Sequence, residues 1–174
     1  MRVTVLQTDR LRLTTWLPDD LQDLTALHTD PDAMRHMIAG IESPERSRER
    51  LATWIDEHQQ RGWSKWRIED DRGTFLGRAG FGTAHGTGHR ELGYLLRPEA
   101  WGRGYATELA HALVRWHRAN TDADEPPLRA YALADNTASL RVLAKVGFIQ
   151  LGREESDERQ IVHELPPTIR TDSG

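Results

Sequence analysis

The segment from Leu95 to Thr107 combines two closely spaced glycines with the expected start of a helix. Gly102 and Gly104 permit positive φ angles and the close approach of a ligand to the backbone. The amides at a helix N-terminus attract anions because the helix dipole is positive there. Arg103 adds a positive charge and Thr107 a hydroxyl. The segment therefore predicts a phosphate-binding turn, with a purely structural tight turn as the simpler alternative.

Two common nucleotide-binding motifs fit this turn poorly. A Rossmann fingerprint has a third small residue after Gly-x-Gly-x-x and an acidic residue at the end of the next strand, about 20 positions on. Here Thr107 fills the third position, and Asp122, Asp124 and Glu125 precede the next expected strand. A P-loop needs Gly-Lys-Ser or Gly-Lys-Thr, which the chain does not contain. A different nucleotide-binding enzyme stays as an alternative function.

Composition restricts the class of protein. The 174 residues include 23 Lys and Arg against 27 Asp and Glu, and the net charge of -4 does not favour a nucleic-acid partner. No apolar run reaches the roughly 18 residues of a membrane helix, so we expect a cytoplasmic protein without a membrane partner. The length fits a single domain over residues 1–174, with a flexible tail at 166–174.

The chain contains few residues suited to thiol or metal chemistry. Cysteine is absent, which excludes a cysteine nucleophile, an acyl-cysteine intermediate and cysteine metal sites. His85 and His89 flank a glycine-rich turn, but no third ligand is nearby in the sequence. We interpret both as surface or substrate-side residues and expect no metal.

Hydrophobic periodicity predicts the elements that position the glycine turn. Alternating or short apolar runs indicate strands over residues 10–16, 63–69, 74–82, 90–96, 128–133, 148 onward and 160–165. Helical spacing of apolar residues indicates helices over residues 18–28, 44–60, 104–117 and 136–145. This order predicts an α+β fold with a mixed sheet and helices on both faces.

Two ordered motifs carry a resemblance to a known family. The first is Pro98–Glu108, with the string Trp-Gly-Arg-Gly-Tyr-Ala-Thr-Glu, and the second is Asn136–Phe148, one helix and one strand later. In this order and separation they resemble the GNAT superfamily of acyl-CoA-dependent N-acetyltransferases. Tyr94 and the string at 101–108 are most similar to the RimJ/RimL-like branch of ribosomal-protein N-terminal acetyltransferases. The resemblance runs from about Thr8 to Leu165.

The resemblance implies a GNAT-like fold: a mixed, mostly antiparallel central sheet with a splayed parallel strand pair and helices on both faces. The splayed strands would be 91–96 and 128–133, with the pantetheine arm of acetyl-CoA between them. Backbone groups near Leu95 and Leu96 would bond this arm, and one N–H would polarise the thioester carbonyl. The implied cofactor-binding residues are Leu95, Leu96, Trp101, Gly102, Arg103, Gly104, Tyr105, Ala106, Thr107, Asn136 and Ser139.

The resemblance also implies direct transfer of the acetyl group to an amine in a ternary complex, since no cysteine can carry it. Many relatives place a tyrosine acid where this chain has Leu143. Ser139 is the candidate acid instead, because the RimJ/RimL-like branch carries serine there; the CoA thiolate could also leave with little help. Glu91 is the candidate base, with a solvent-facing charge at a strand end as its alternative. Asn136 would bond the pantetheine, and it is also a good helix N-cap.

The sequence does not identify the acceptor amine. The branch favours a protein or peptide α-amine, whereas other relatives acetylate small-molecule amines. Residues 30–62 and 83–90 should shape its pocket, and Trp16 and Trp54 lie in the segment that forms the acceptor side in relatives. The oligomeric state stays open, with a homodimer as the state that analogy favours. A non-catalytic acyl-CoA-binding or regulatory module of the same fold is the alternative, indicated only by the missing tyrosine at Leu143.

Overall fold

The computed structural model describes residues 1–84, 86–122 and 124–167, so His85 and most of the expected tail at 166–174 lie outside the described residues. The strands are β1 (Thr4–Gln7), β2 (Leu11–Thr14), β3 (Lys65–Asp70), β4 (Phe75–Thr83), β5 (Arg90–Leu96), β6 (Arg129–Leu133), β7 (Ile149–Arg153) and β8 (Gln160–Glu164). The helices are α1 (Leu21–His28), α2 (Pro44–Arg61), α3 (Tyr105–Ala119) and α4 (Thr137–Lys145). Short 3-10 turns at Pro18–Asp20 and Pro98–Ala100 precede α1 and α3.

The described strands form one sheet of eight in the order β1-β2-β3-β4-β5-β6-β8-β7. β5 and β6 run parallel, and the other neighbouring pairs are antiparallel. The predicted β3–β4 hairpin is present, and the predicted mixed, mostly antiparallel sheet is confirmed.

The parallel pair is bonded at one end only. Glu91 pairs with Arg129 and Leu92 with Ala130, after which β5 and β6 separate. The other edge of β5 stays paired with β4 along its whole length, from Arg90 to Leu96. The β6-facing edge of β5 beyond Leu92 therefore has no strand partner among the described residues. Because buried backbone polar groups are almost always hydrogen-bonded, this edge is suited to receive an extended ligand.

Two apolar cores cover the two faces of the sheet. The core below α3 and α4 includes Leu92, Leu109, Leu113 and Phe148. The helices α1 and α2 cover the other face, whose buried residues are Trp16, Leu24, Leu27, Ala33, Met34, Leu51, Trp54, Phe75 and Leu95. Helices on both faces, as predicted, are thus confirmed.

Trp16 and Trp54 correct one expectation. They are only 4% and 7% exposed, and their rings stack with centroids 6.0 Å apart. Large aromatic side chains contribute most when their apolar area is removed from water. These two rings fill the core between the sheet and α2, and they are not available as acceptor contacts.

The element boundaries follow local signals closely. Ser43 caps α2 by accepting a hydrogen bond from the Arg46 N–H at 3.2 Å, and Gly62 ends it in the left-handed conformation at φ +76°. The strand β1 was not predicted, because its exposed, short run at the sheet edge lacks a clear apolar pattern. In the described part of the chain, no helix has the length and apolar character needed to cross a bilayer.

A buried histidine network holds α1, α2 and β4 together. His28 is fully buried, and its Nε2 accepts from Arg78 Nε at 3.1 Å. Its Nδ1 lies 3.3 Å from Glu42 Oε2, and Arg50 holds the same carboxylate. Burial and the charge of Arg78 lower the pKa of His28 to about 3. His28 is therefore neutral, and its Nδ1–H faces Ser47 Oγ at 3.2 Å as well as the Glu42 carboxylate.

His117 on α3 makes stability pH-dependent. It is 6% exposed, and burial together with the Arg90 charge lowers its pKa to about 4. The unfolded chain protonates this imidazole near pH 6.5, so the folded state loses stability as pH falls from 6.5 towards 4. We expect a loss of about 2 kcal/mol from this group between pH 7 and pH 5, since one pKa unit corresponds to about 1.4 kcal/mol. Urea unfolding at pH 7 and at pH 5 measures this difference in the free energy of unfolding. His117→Gln should remove the part of the difference that comes from His117. An unchanged pH dependence in the variant would contradict the assignment.

Candidate active site

A cavity of about 390 Å³ opens where β5 and β6 separate. Its walls are the end of β5, the glycine turn, the start of α3 and the start of α4, and the loop between α1 and α2 crosses its mouth. Of the residues implied for the cofactor, it is lined by Leu95, Leu96, Trp101, Gly102, Gly104, Tyr105, Ala106, Thr107, Asn136 and Ser139.

The glycine turn places the N-terminus of α3, which attracts anions, at this cavity. Gly102 and Gly104 have φ angles of +71° and +78°, a region that strongly favours glycine. A Cβ at Gly102 would have no atom within 4 Å, so the space beside the backbone is open. The first amides of α3 have no partner within the helix, and they carry the positive end of its dipole. The geometry is therefore that of a binding turn for a phosphate.

Arg10 anchors the turn from the far end of the sequence. Its side chain donates to Glu108 Oε2 at 2.7 Å and to the Arg103 carbonyl at 2.8 Å, and it lies 4.6 Å from the Tyr105 ring centroid. Sequence reasoning missed this residue, because no local pattern connects position 10 with position 108. Arg103 itself is exposed and lies outside the cavity lining, so its expected charged contact with a phosphate is not supported by this geometry.

Ser139 receives two hydrogen bonds at the cavity wall. Tyr94 donates its hydroxyl hydrogen to Ser139 Oγ at 3.1 Å, and Asn136 Nδ2 donates to the same oxygen at 3.1 Å. Since both donors use the oxygen, the hydrogen of Ser139 remains to be donated to another group. Two donors on an oxygen also stabilise negative charge there, which makes the hydroxyl a better acid. Burial raises the pKa of Tyr94, which keeps its phenol protonated.

Asn136 serves two purposes at this point. Its Oδ1 accepts from the Ser139 N–H at 3.2 Å, so Asn136 is the N-cap of α4. Its amide nitrogen orients the Ser139 hydroxyl, and the residue also lines the cavity. Leu143, where many relatives carry a tyrosine, is 2% exposed in the core below α4 and offers no proton.

Glu91 lies away from the cavity lining. It is the second residue of β5, four residues before Leu95, which corresponds to about 13 Å along a strand. It is partly buried, and the side chain of Lys65 on β3 lies beside it. Lys65 was not singled out in the sequence, because an isolated lysine in a strand carries no motif.

The mouth of the cavity is formed by a shorter segment than expected. Within the expected range 30–62 only five residues line it: Asp32, Ala33, Arg35, His36 and Met37. The loop contacts both opposite walls: Arg35 Cζ lies 6.0 Å from the Trp101 ring, and His36 Nδ1 lies 3.6 Å from Asp135 Oδ1. Of the described residues in 83–90, four line a separate cavity of about 80 Å³ instead: Thr83, Gly88, His89 and Arg90.

No described group of three or more His, Cys, Asp or Glu side chains is arranged to hold a metal ion. His89 uses its Nδ1 in a contact of 2.8 Å with the Pro127 carbonyl, at the smaller cavity. His85, the other histidine flanking the glycine-rich turn, lies outside the described residues.

Comparison with known proteins identifies the kind of site. A family model described as an acetyltransferase (GNAT) domain matches residues 10–149. The chain belongs to the GNAT acetyltransferase family. Among its relatives is YoaA of Bacillus subtilis (strain 168), named an uncharacterized N-acetyltransferase, which is 30% identical over 152 residues covering 85% of this chain and 84% of YoaA. The predicted acyltransferase class is thereby confirmed, and its general activity is acetyl-CoA-dependent acetyl transfer.

Solved GNAT structures share the fold. An acetyltransferase from Agrobacterium tumefaciens str. C58 superimposes with a TM-score of 0.79 at 24% identity, over 93% of this chain and 94% of that one. RimL, a ribosomal alpha-N-protein acetyltransferase in complex with coenzyme A, gives 0.75 at 18% identity, over 93% and 96%. The predicted GNAT fold is confirmed, and RimL is among the structural neighbours.

Proposed function

We propose that this GNAT enzyme transfers the acetyl group of acetyl-CoA directly to a primary amine within a ternary complex. The observation that carries the proposal is a single cavity that runs from the amide-rich start of α3, along the unpaired edge of β5, to the Ser139 hydroxyl. Acetyl-CoA supplies the activated thioester in this site. The chain has no cysteine to form an acyl-cysteine intermediate, which supports direct attack of the acceptor amine on that thioester.

The residues present fit the parts of acetyl-CoA. The amides of Gly102 and of residues 104–107 would bind the pyrophosphate, because these residues line the cavity at the positive end of α3. The free edge of β5 near Leu95 and Leu96 would bond the pantetheine amides, as a further strand would. A backbone N–H there would polarise the thioester carbonyl and stabilise the charge that develops on its oxygen.

Ser139 would provide the proton for the leaving sulfur. Its hydrogen is left over after Tyr94 and Asn136 have donated to its oxygen. When the C–S bond breaks, the electron pair leaves with sulfur, and the Ser139 proton neutralises it. The second proton of the attacking nitrogen then restores the Ser139 hydroxyl.

The acceptor we favour is the α-amine of a protein or peptide, with a small-molecule amine as the second candidate. The printed function of RimL supports the first, since RimL is named an alpha-N-protein acetyltransferase. Trp101 lines the cavity and is 45% exposed, so its ring offers an apolar contact to an entering chain end. A homodimer and a cytoplasmic location remain predictions.

Ligand-dependent melting followed by turnover tests this function. Acetyl-CoA at 100 times its Kd should stabilise the fold by about 2.7 kcal/mol, whereas NAD and ATP at the same concentration should leave Tm nearly unchanged. CoA release should then be seen with peptides of varied N-terminal residue or with small amines from a panel. Stabilisation by acetyl-CoA without CoA release from any amine would favour the non-catalytic binding module. Stabilisation by NAD or ATP alone would contradict the proposal.

A further inference from the structure

Lys65 extends over positions of the sheet that have no side chains. It pairs with Gly80 on β4, and Gly80 pairs in turn with Gly93 on β5. A Cβ at Gly93 would lie 2.9 Å from Lys65 Nζ, and one at Gly82 would lie 3.8 Å from it. The glycines therefore leave the space that the lysine side chain occupies. Its Nζ donates to the Gly80 carbonyl at 3.3 Å.

Lysine is an exceptional choice in this chain. Of the 23 Lys and Arg residues only Lys65 and Lys145 are lysines, and Lys145 is exposed at the end of α4. An arginine stays protonated in proteins, whereas a lysine amine can lose its proton when it is buried. Lys65 is thus the single lysine in the described strands, and unlike an arginine it can become neutral at this position.

The groups around Lys65 allow it to lose its proton near neutral pH. Burial lowers the pKa of Lys65 to about 8. Arg78 on β4 and Arg50 on α2 also lower it, and Glu91 on β5 and Glu57 on α2 oppose them. Part of the lysine is therefore a neutral amine in the physiological range, with a lone pair free to accept a proton.

The strand β5 connects Lys65 to the cavity. Alternate residues share a face of a strand, so Gly93 under Lys65 Nζ and Leu95 in the cavity wall face the same side about 7 Å apart. Gly93 is also the first β5 residue beyond Leu92, where β6 departs. Glu91 lies a further 7 Å or so along the strand. Gly93, which lies under Lys65 Nζ, is thus nearer to Leu95 along the strand than Glu91 is, and neither Lys65 nor Glu91 lines the cavity itself.

We propose that Lys65 is the general base that takes the proton of the acceptor amine, and that Glu91 is a positioning residue that acts through Lys65. The inference rests on the proposed amine acetylation. It assigns the general base, which the proposed function left without a residue. The acceptor ammonium passes one proton to Lys65 Nζ through a bridging water. The freed nitrogen lone pair forms the C–N bond as the C–S bond breaks. Ser139 protonates the leaving sulfur and takes the second proton of the nitrogen in its place, so the products are an amide, the CoA thiol and one proton that leaves from Lys65 to solvent.

The test is the pH dependence of kcat/KM for the amine, from pH 6 to 9.5, in four variants compared with wild type. In wild type we expect an inflection near pH 8 in addition to that of the amine. Lys65→Met should lower kcat/KM at pH 8 by about 100-fold and remove this inflection. Lys65→Arg should be equally impaired although it keeps the charge, because arginine does not release its proton. Lys145→Met, the matched control, should retain the wild-type profile.

Glu91→Gln separates the two candidate bases. Because Glu91 stabilises the lysine ammonium, its removal should move the Lys65 inflection to lower pH and raise the relative rate there. A base role for Glu91 predicts the reverse, a rate loss concentrated at low pH. That reverse result would overturn the inference. So would a wild-type pH profile in Lys65→Met, and so would high activity in Lys65→Arg. Absence of CoA release by the wild-type enzyme would instead overturn the proposed function, and it would be seen before any variant is compared. Stabilisation by acetyl-CoA in every variant serves as the control for an intact fold.

Discussion

Replacement of Ser139 by alanine is expected to lower kcat by about 100-fold or more while the KM for acetyl-CoA stays nearly unchanged. The Ser139 hydroxyl is stabilised as a proton donor by the hydrogen bonds from Tyr94 and Asn136. Its contact with the leaving sulfur strengthens as the C–S bond breaks, so the loss should fall on turnover and not on binding. Steady-state kinetics with saturating amine measures both constants.

Tyr94→Phe is the control for this interpretation. It removes one of the two donors to Ser139 Oγ while it keeps the ring that packs against the core. We expect a smaller loss of kcat, about tenfold, since Asn136 still orients the serine. An unchanged kcat in Ser139→Ala would show that the thiolate leaves without an acid. A rise in KM alone would assign Ser139 a structural role.

Gly102→Val is expected to weaken acetyl-CoA binding by about 100-fold or more while the protein stays folded. A branched side chain there would fill the open space beside the turn and prevent the phosphate from approaching the amides. Loss of two charge-assisted hydrogen bonds at about 1.5–3 kcal/mol each accounts for this magnitude. Isothermal titration with acetyl-CoA measures the Kd, and urea unfolding measures the stability.

Gly62→Val offers a matched control at the end of α2. Gly62 has a φ of +76° against +71° for Gly102, and a Cβ at either position would have no atom within 4 Å. Both variants therefore pay a similar backbone strain of about 1–2 kcal/mol, but only Gly102 lines the cavity. Equal effects of the two variants on acetyl-CoA affinity would contradict the binding role of the turn.

Several features could be predicted from the sequence because their causes are local. The strand predicted over 90–96, after a glycine-rich turn, matches the bounds of β5, and Gly62 ends α2 as its position after the apolar repeat indicated. Gly102 and Gly104 adopt positive φ because the adjacent strand and helix require a tight turn between them. The order of the two motifs was sufficient to predict the family and the fold, since both depend on short runs of neighbouring residues.

Contacts between distant segments were decided only by the tertiary structure. Tyr94 meets Ser139 across 45 positions, and Arg10 meets Glu108 across 98, and no local pattern encodes either pair. Lys65 reaches β5 because the register of three strands places glycines under it. An alternating pattern determines which side of a strand is buried, but the partner strand and its register depend on how the whole sheet assembles. For this reason the sequence predicted the cofactor turn, and the packing decided which side chains stand beside the reacting groups.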